Sequence, residues 1–354
     1  MRLVVTGGAG FIGSAVVSRA VRAGHDVLTI DKLTYAGRRE ALAEVMLSPH
    51  HCFLQADVAD SDAMDSAVRD FDPDAVFHLA AESHVDRSID EPEAFVTTNV
   101  RGTFVLLEVA LRHWSQLRGA RRDDFRFVQV STDEVFGTLT EGGPFKESSR
   151  YAPNSPYAAS KAAADHFARA WHQTYGIPVI VTNCSNNYGP RQHAEKLIPT
   201  VVRHALAGAA IPVYGTGANV RDWLYVEDHV NGLMAAFRRG QPGQTYLFGG
   251  RCEMRNLDLA GMICDLLDAR LPRNDGKSYA RQISFVMDRP GHDFRYAVDP
   301  SHAESALGWK ADERFETGLA KTIDWYLANT DWLIPVKELG RLGTRPTEIA
   351  GAPT

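Results

Sequence analysis

Arg2-Leu-Val-Val-Thr6-Gly7-Gly8-Ala9-Gly10-Phe11-Ile12-Gly13 opens the chain, and its reading decides the fold. A β-branched apolar run (Arg2–Thr6) breaks into glycines, and a stretch with helical spacing follows over 12–23, closed by Gly24. Glycines in such a turn let the backbone approach a pyrophosphate, whose charge the N-terminus of the following helix favours. A Gly-rich pattern alone is weak; its place between a strand and a helix gives it force. Asp31 ends the next strand (27–30), at the offset of about 20 residues where a carboxylate binds the adenine ribose hydroxyls and repels a 2′-phosphate. NAD is therefore expected rather than NADP. Asp57, after a third strand (51–55), reads either as an adenine contact or as a surface-loop acid.

Further along, short apolar runs at 75–79, 125–130 and 179–183 alternate with long helical patterns at 94–114 and 157–175. Short strands buried on both faces and separated by helices imply a Rossmann-type, doubly wound parallel α/β sheet. After Tyr188 prolines and glycines divide the chain into shorter pieces, as expected of a smaller mixed α/β C-terminal substrate domain. The expected division is 1–188 for cofactor, with a return around 219–240, then 189–334 for substrate and a flexible tail at 335–354.

The chain has 354 residues, 44% of them hydrophobic and 23% charged, an ordinary globular balance. A formal net charge of -6 argues against nucleic acid, which calls for a basic face. Cys52, Cys184, Cys252 and Cys264 show no metal-ligand spacing, so reduced thiols and no metal are expected. The opening residues do not read as a signal peptide, and no stretch reads as a membrane span, so the expected location is the cytoplasm.

Tyr157-Ala-Ala-Ser-Lys161 places a phenol and an ammonium four apart, on one helix face. The ammonium would lower the phenol's pKa and make it a usable base. That spacing occurs by chance in many helices. It gains weight from the glycine loop and from Val130-Ser-Thr132-Asp133-Glu134-Val-Phe-Gly137, although Asp133-Glu134 in isolation could be an ordinary acidic turn.

Together these stretches resemble the extended short-chain dehydrogenase/reductases, and within them the dTDP-glucose 4,6-dehydratases. The resemblance rests on TGGAGFIGS (6–14), DKLTYAG (31–37), HLAAESHVDRSI (78–89), STDEVFG (131–137), YAASKAAADH (157–166), NNYGP (186–190), EKLIP (195–199), NVRDWLYVEDH (219–229) and DRPGHDFRYAVD (288–299). It implies an NAD-dependent lyase that oxidises a sugar at C4, eliminates water across C5–C6 and returns the hydride to C6. Thr132 and Tyr157 would serve C4, with Lys161 supporting Tyr157; Glu134 would be the base at C5 and Asp133 the acid at O6. The implied cofactor set is Gly7, Gly10, Phe11, Ile12, Gly13, Asp31, Lys32, Thr34, Asp57, Val58, Leu79, Ala81, Thr98, Tyr157 and Lys161. For the nucleotide sugar, dTDP-glucose, it implies Ser83, Thr132, Asn187, Lys196, Leu197, Pro212, Tyr214, Arg221, Asn256, Arg289 and His292. It also implies a homodimer through the two long helices.

The chain departs from the family pattern at Phe136, usually Tyr; at Arg191-Gln-His-Ala194, usually aromatic and proline-bearing; and at Phe294, often Arg. The last two fall in the substrate half, so a CDP- or UDP-sugar stays open there. A 4-epimerase or decarboxylase shares the glycine loop and Tyr-Lys but has no need of the Asp-Glu pair. A non-catalytic cofactor sensor should have lost Tyr157, Lys161 or the carboxylates, all of which are present.

Overall fold

The computed structural model describes residues 1–139 and 142–334, so the tail expected at 335–354 lies outside the described residues. Six parallel strands stand in the order β3-β2-β1-β4-β5-β6: β1 (Arg2–Thr6), β2 (Asp26–Asp31), β3 (His51–Gln55), β4 (Ala75–His78), β5 (Arg126–Thr132) and β6 (Val179–Cys184). The sequence reverses direction across the sheet between β1 and β4, which opens a crevice at the strands' carboxyl ends. Strands β4 and β6 are buried along their whole length, which is why they read as continuous apolar runs rather than alternations.

Helices α1 (Phe11–Arg22), α2 (Ser61–Phe71), α3 (Pro92–Gln116) and α4 (Pro156–Tyr175) flank this sheet. Local chemistry fixes their ends. The Asp60 side chain accepts from the Asp62 and Ala63 amides at the start of α2. Ser155 caps α4 with Pro156 in its first turn, and Gly176 at φ +74° ends it. On one face of the sheet Leu3, Val5, Val16, Phe77 and Ile180 share a core; on the other, Val4, Ile30, Leu106, Phe127 and Val179 do.

The helix expected at 94–114 is longer and irregular, with a π-helical stretch over Val96–Arg101. Asn99 within it is buried. Its side chain bonds both the amide and the carbonyl of Glu82 (2.8 and 3.0 Å) and reaches Ser160 Oγ (2.8 Å). Helix α3 has 25 residues, and an 18-residue window of it reaches a mean hydropathy of 1.3, long and apolar enough to pass for a span by length and composition only. Half of it is buried, however, and it is clamped between α2 and α4.

In the second half, β7 (Asn186–Tyr188) follows β6 directly, and α5 (Leu197–Leu206) leads to β8 (Ile211–Tyr214). Residues 219–240 divide. Strand β9 (Val220–Tyr225) joins β7 instead of the main sheet, whereas α6 (Val226–Arg239) buries Val230, Leu233 and Phe237 in the α1 side of the main core. Alternation explains the split: Trp223 faces the C-terminal core and Leu224 the main one. Strand β10 (Thr245–Phe248) then pairs with β6 as the seventh parallel strand. Strand β11 (Glu253–Arg255) completes the β9 sheet, α7 (Asn256–Arg270) follows, and β12 (Ile283–Val286) pairs with β8. With α8 (Phe315–Ala328) these elements enclose Ile198, Val213, Leu259, Ile263 and Ile323.

Candidate active site

The ends of β1, β2, β4, β5 and β6 open on one cleft. Its floor is the glycine turn. Gly7 has φ +67°, and a Cβ there would lie 2.6 Å from the Ala80 amide nitrogen; one at Gly13 would lie 2.1 Å from the Gly7 carbonyl oxygen. Only bare backbone fits, which leaves the start of α1 open to an anionic group. At the far end the Asp31 carboxyl accepts from the amides of Ala9 (2.9 Å) and Leu33 (2.8 Å). Lys32 Nζ donates to Asp57 (2.6 Å), and Asp31, Lys32 and Asp57 all line the cleft. Gly10, Phe11, Ile12, Thr34, Val58, Leu79, Ala81 and Thr98 line the same cleft. A Cβ-free cradle at a helix start with a carboxyl beyond it fits a dinucleotide.

At the other end, β5 runs two residues further than the sequence pattern indicates and delivers Ser131 and Thr132. The chain then tightens into a 3-10 turn over Asp133–Phe136, started by the Thr132 hydroxyl, which accepts from the Glu134 amide (3.3 Å). Helix α4 contributes Tyr157 and Lys161 from successive turns. Thr132, Asp133, Glu134, Tyr157 and Lys161 all line the cleft.

Lys161 makes no direct hydrogen bond to Tyr157 here. Burial pushes the phenol well above its ordinary pKa, and the charge of Glu134 pushes it further, opposed by a hydrogen bond with Thr132. Lys161 Nζ instead donates to the Val130 carbonyl (2.7 Å), and burial lowers its own pKa. A base at Tyr157 therefore needs additional positive charge brought into the cleft.

The two carboxyls are unequal. Burial raises Asp133 well above the carboxylate range, and Glu134 and then Asp222 raise it further; its Oδ2 is buried without a partner. Glu134 is also raised by burial, but Arg289, Lys196 and Arg221 pull it back. Their surroundings separate them in the direction an acid and a base require, with Asp133 raised further than Glu134.

Of the residues expected at the sugar and nucleotide, Ser83, Asn187 and Lys196 line the cleft with Thr132. Lys196 Nζ donates to the Ser83 carbonyl (2.8 Å), and Asn187 Oδ1 meets His229 (2.8 Å). The remainder do not line it. Arg221 is buried, and its guanidinium donates to the carbonyls of Val220, Asp293 and Phe294 above the Tyr296 ring. Arg289 (3.2 Å) and the Tyr214 hydroxyl (3.2 Å) both donate to Asp86, and His292 contacts Asp288 (2.6 Å) and the edge of Tyr214. Pro212 pairs with Ser284 in the β8–β12 ribbon, Leu197 packs toward the C-terminal core, and Asn256 begins α7 with its Oδ1 buried and unpartnered. Of this remainder, Arg289 and Arg221 act on Glu134 by charge without lining the cleft.

A sequence-family profile described as GDP-mannose 4,6 dehydratase matches residues 4–322. The chain is 54% identical over 347 residues to "dTDP-glucose 4,6-dehydratase 1" of Escherichia coli (strain K12), covering 95% of this chain and 96% of that protein. The chain belongs to the dTDP-glucose 4,6-dehydratase family. A "probable dTDP-glucose 4,6-dehydratase" of Sinorhizobium fredii is 52% identical, covering 98% of both chains. Among solved structures, the family member DesIV of Streptomyces venezuelae, crystallised with NAD, superposes with a TM-score of 0.86 at 43% identity, covering 95% and 99% of the two chains. A UDP-glucose 4-epimerase of Thermotoga maritima superposes at 0.82 with 26% identity over 93% of this chain and 100% of that one.

Within this family frame the departures find their places. Phe136 is buried in an aromatic cluster, stacked on Phe145 and edge-on to Tyr151, outside the cleft lining. Arg191 pairs with Glu44 (2.5 Å), His193 meets the Tyr35 ring edge-on, and Phe294 is 55% exposed. Sequence reading missed Glu82, Cys184, Ser185, Asn186, Gln192 and His193, which also line the cleft. Cys184 and its neighbours could have been found from their place at the carboxyl end of parallel strand β6; Glu82 is held there by its bonds with Asn99.

Proposed function

We propose that this protein is an NAD-dependent hydro-lyase that converts dTDP-glucose to dTDP-4-keto-6-deoxyglucose. The observation that carries the reading is the unequal Asp133/Glu134 pair on one 3-10 turn facing the cleft beside Tyr157. NAD would be held by the glycine cradle, Asp31 and Asp57, and when bound would supply a hydride acceptor for C4, a positive charge beside Tyr157 and the hydride returned at C6. Thr132 orients the C4 hydroxyl, and Tyr157, supported by Lys161, takes its proton. The resulting ketone acidifies C5–H, which Glu134 removes while Asp133 protonates the leaving O6. The proton held by Glu134 and the returned hydride then saturate C5 and C6, for a net loss of one water.

Ser83 and Asn187 would meet the hexose; Lys196, Arg221 and Arg289 would neutralise the diphosphate. Tyr214, with Pro212, His292 and Asn256, would receive the base. A cytoplasmic homodimer belongs to this proposal. It is supported by an aromatic row on the outer faces of α3 and α4, Phe104–Phe167–Trp171–Tyr175, with Val96 exposed beside it.

The test is incubation with dTDP-glucose, followed by product mass and the alkaline absorbance of the keto sugar. Loss of one water supports the proposal. An unchanged mass with inverted C4 indicates an epimerase and overturns it, and turnover of a CDP- or UDP-sugar in preference overturns the base assignment.

A further inference from the structure

We propose that Asp165 is a positioning residue of this reaction: it anchors the strand ends that carry the catalytic tripeptide and supplies the counter-charge to Lys161. The inference rests on the catalytic reading of Lys161 and Tyr157 given above.

Asp165 is fully buried, one helical turn beyond Lys161 on the same face of α4. Its Oδ2 accepts from Ser131 Oγ (2.6 Å), the Tyr151 hydroxyl (3.0 Å) and Asn183 Nδ2 (3.4 Å). Three donors converging on one oxygen suit an ionised carboxylate, while Oδ1 is buried without a hydrogen-bond partner. Burial raises the Asp165 carboxyl, and the charge of Lys161, itself buried one turn away, opposes that rise together with the three hydrogen bonds.

The same group of contacts grips β5 at three consecutive residues. Val130 O accepts from Lys161, Ser131 Oγ donates to Asp165, and Thr132 O accepts from Asn183 Nδ2 (3.0 Å). Asp133 and Glu134 follow directly, so the position of both carboxyls depends on this anchor.

Lys161 faces Asp165 from its own helix and Cys184 from β6, and its charge reaches His78 on β4. Asp165 faces Tyr151 from the preceding loop, with Arg169 acting on Tyr151 from the next turn of α4. Burial holds the Cys184 thiol far up and His78 down to about 3, so neither carries charge near neutral pH. Asp165 is thus the charged neighbour that resists the loss of Lys161's proton.

The sign follows. Removing the Asp165 charge lets Lys161 lose its proton at lower pH, and support for the Tyr157 phenolate goes with it. Asp165→Asn should move the alkaline limb of the kcat–pH profile down by about one pH unit, a roughly tenfold loss of kcat on that limb, with KM nearly unchanged. Tyr151→Phe removes one donor from Asp165, makes the carboxyl easier to protonate, and should move the acid limb up. Both profiles are measured on the full chain with dTDP-glucose, alongside thermal unfolding. A lowered Tm with limbs that superimpose on the parent's makes Asp165 a structural carboxyl and overturns the inference. If Asp165→Asn does not fold, an unmoved acid limb in Tyr151→Phe overturns it equally. A parent enzyme that releases no water from dTDP-glucose refutes the functional reading instead, which keeps the two failures distinct.

Discussion

Replacing Glu134 with Gln is the most informative single change, because the proposed mechanism gives it opposite effects on the two halves of the reaction. The amide introduced by Glu134→Gln cannot take the C5 proton, and loss of a positioned general base lowers a rate about 10²–10⁴-fold, or about 3–5 kcal/mol of barrier. The Glu134 charge is also the largest contribution after burial to the raised pKa of Tyr157. Removing it eases phenolate formation, so C4 oxidation should hold steady or quicken. The same substitution relieves Asp133, which Glu134 also pushes up. The assay is a single turnover with dTDP-glucose, following reduced-cofactor absorbance, solvent deuterium uptake at C5 and product mass. Reduced cofactor should accumulate, deuterium uptake should vanish, and water loss should fall by at least roughly two decades. Equal declines in oxidation and water loss would refute the division of labour, as would undiminished exchange at C5.

Tyr157→Phe should suppress reduced-cofactor formation and water loss together; a variant that still oxidises C4 at the parent rate would remove Tyr157 from the base role. Gly13→Ala drives a Cβ to 2.1 Å from the Gly7 carbonyl, so NAD affinity by fluorescence titration should fall at least roughly tenfold, and an unchanged Kd would refute the cradle. Asp133 has a raised pKa, so its stabilising protonated form is complete at low pH and is lost as pH rises from the carboxylate range through its own pKa. Asp133→Asn should therefore gain stability over the parent at about pH 8 relative to about pH 4 in urea unfolding, and parallel curves would contradict the burial argument. Ser155→Ala removes the cap of α4 and should cost about 1 kcal/mol, read from the shift in urea midpoint.

The parts of this site that were legible in the sequence are those whose geometry is local. The glycine turn needs only its own backbone and the following helix, and Tyr157 and Lys161 need only helical periodicity. Asp165 stood in a quoted motif without a role, because its partners Ser131 and Asn183 are 34 and 18 residues away and meet it only when β5 and β6 pair. The cluster around Asp86 was unreadable for the same reason: Arg289 is 203 residues from it. Val96–Arg101 lies inside a long helical pattern, and neither its π-helical register nor the bonds of Asn99 to Glu82 and Ser160 can be read from periodicity. The 219–240 segment divides between two cores because adjacent residues on β9 face opposite ways.

The seventh strand has a consequence for how the chain is made. During synthesis the β6 edge, with its open amides and carbonyls along Val179–Cys184, emerges well before Thr245–Phe248 can cover it. In that interval the nascent sheet presents an unpaired edge to any neighbouring strand, including that of another ribosome's product. Translation speed over residues 185–248, and holdase occupancy there, should therefore govern yield more than the stability of the finished molecule.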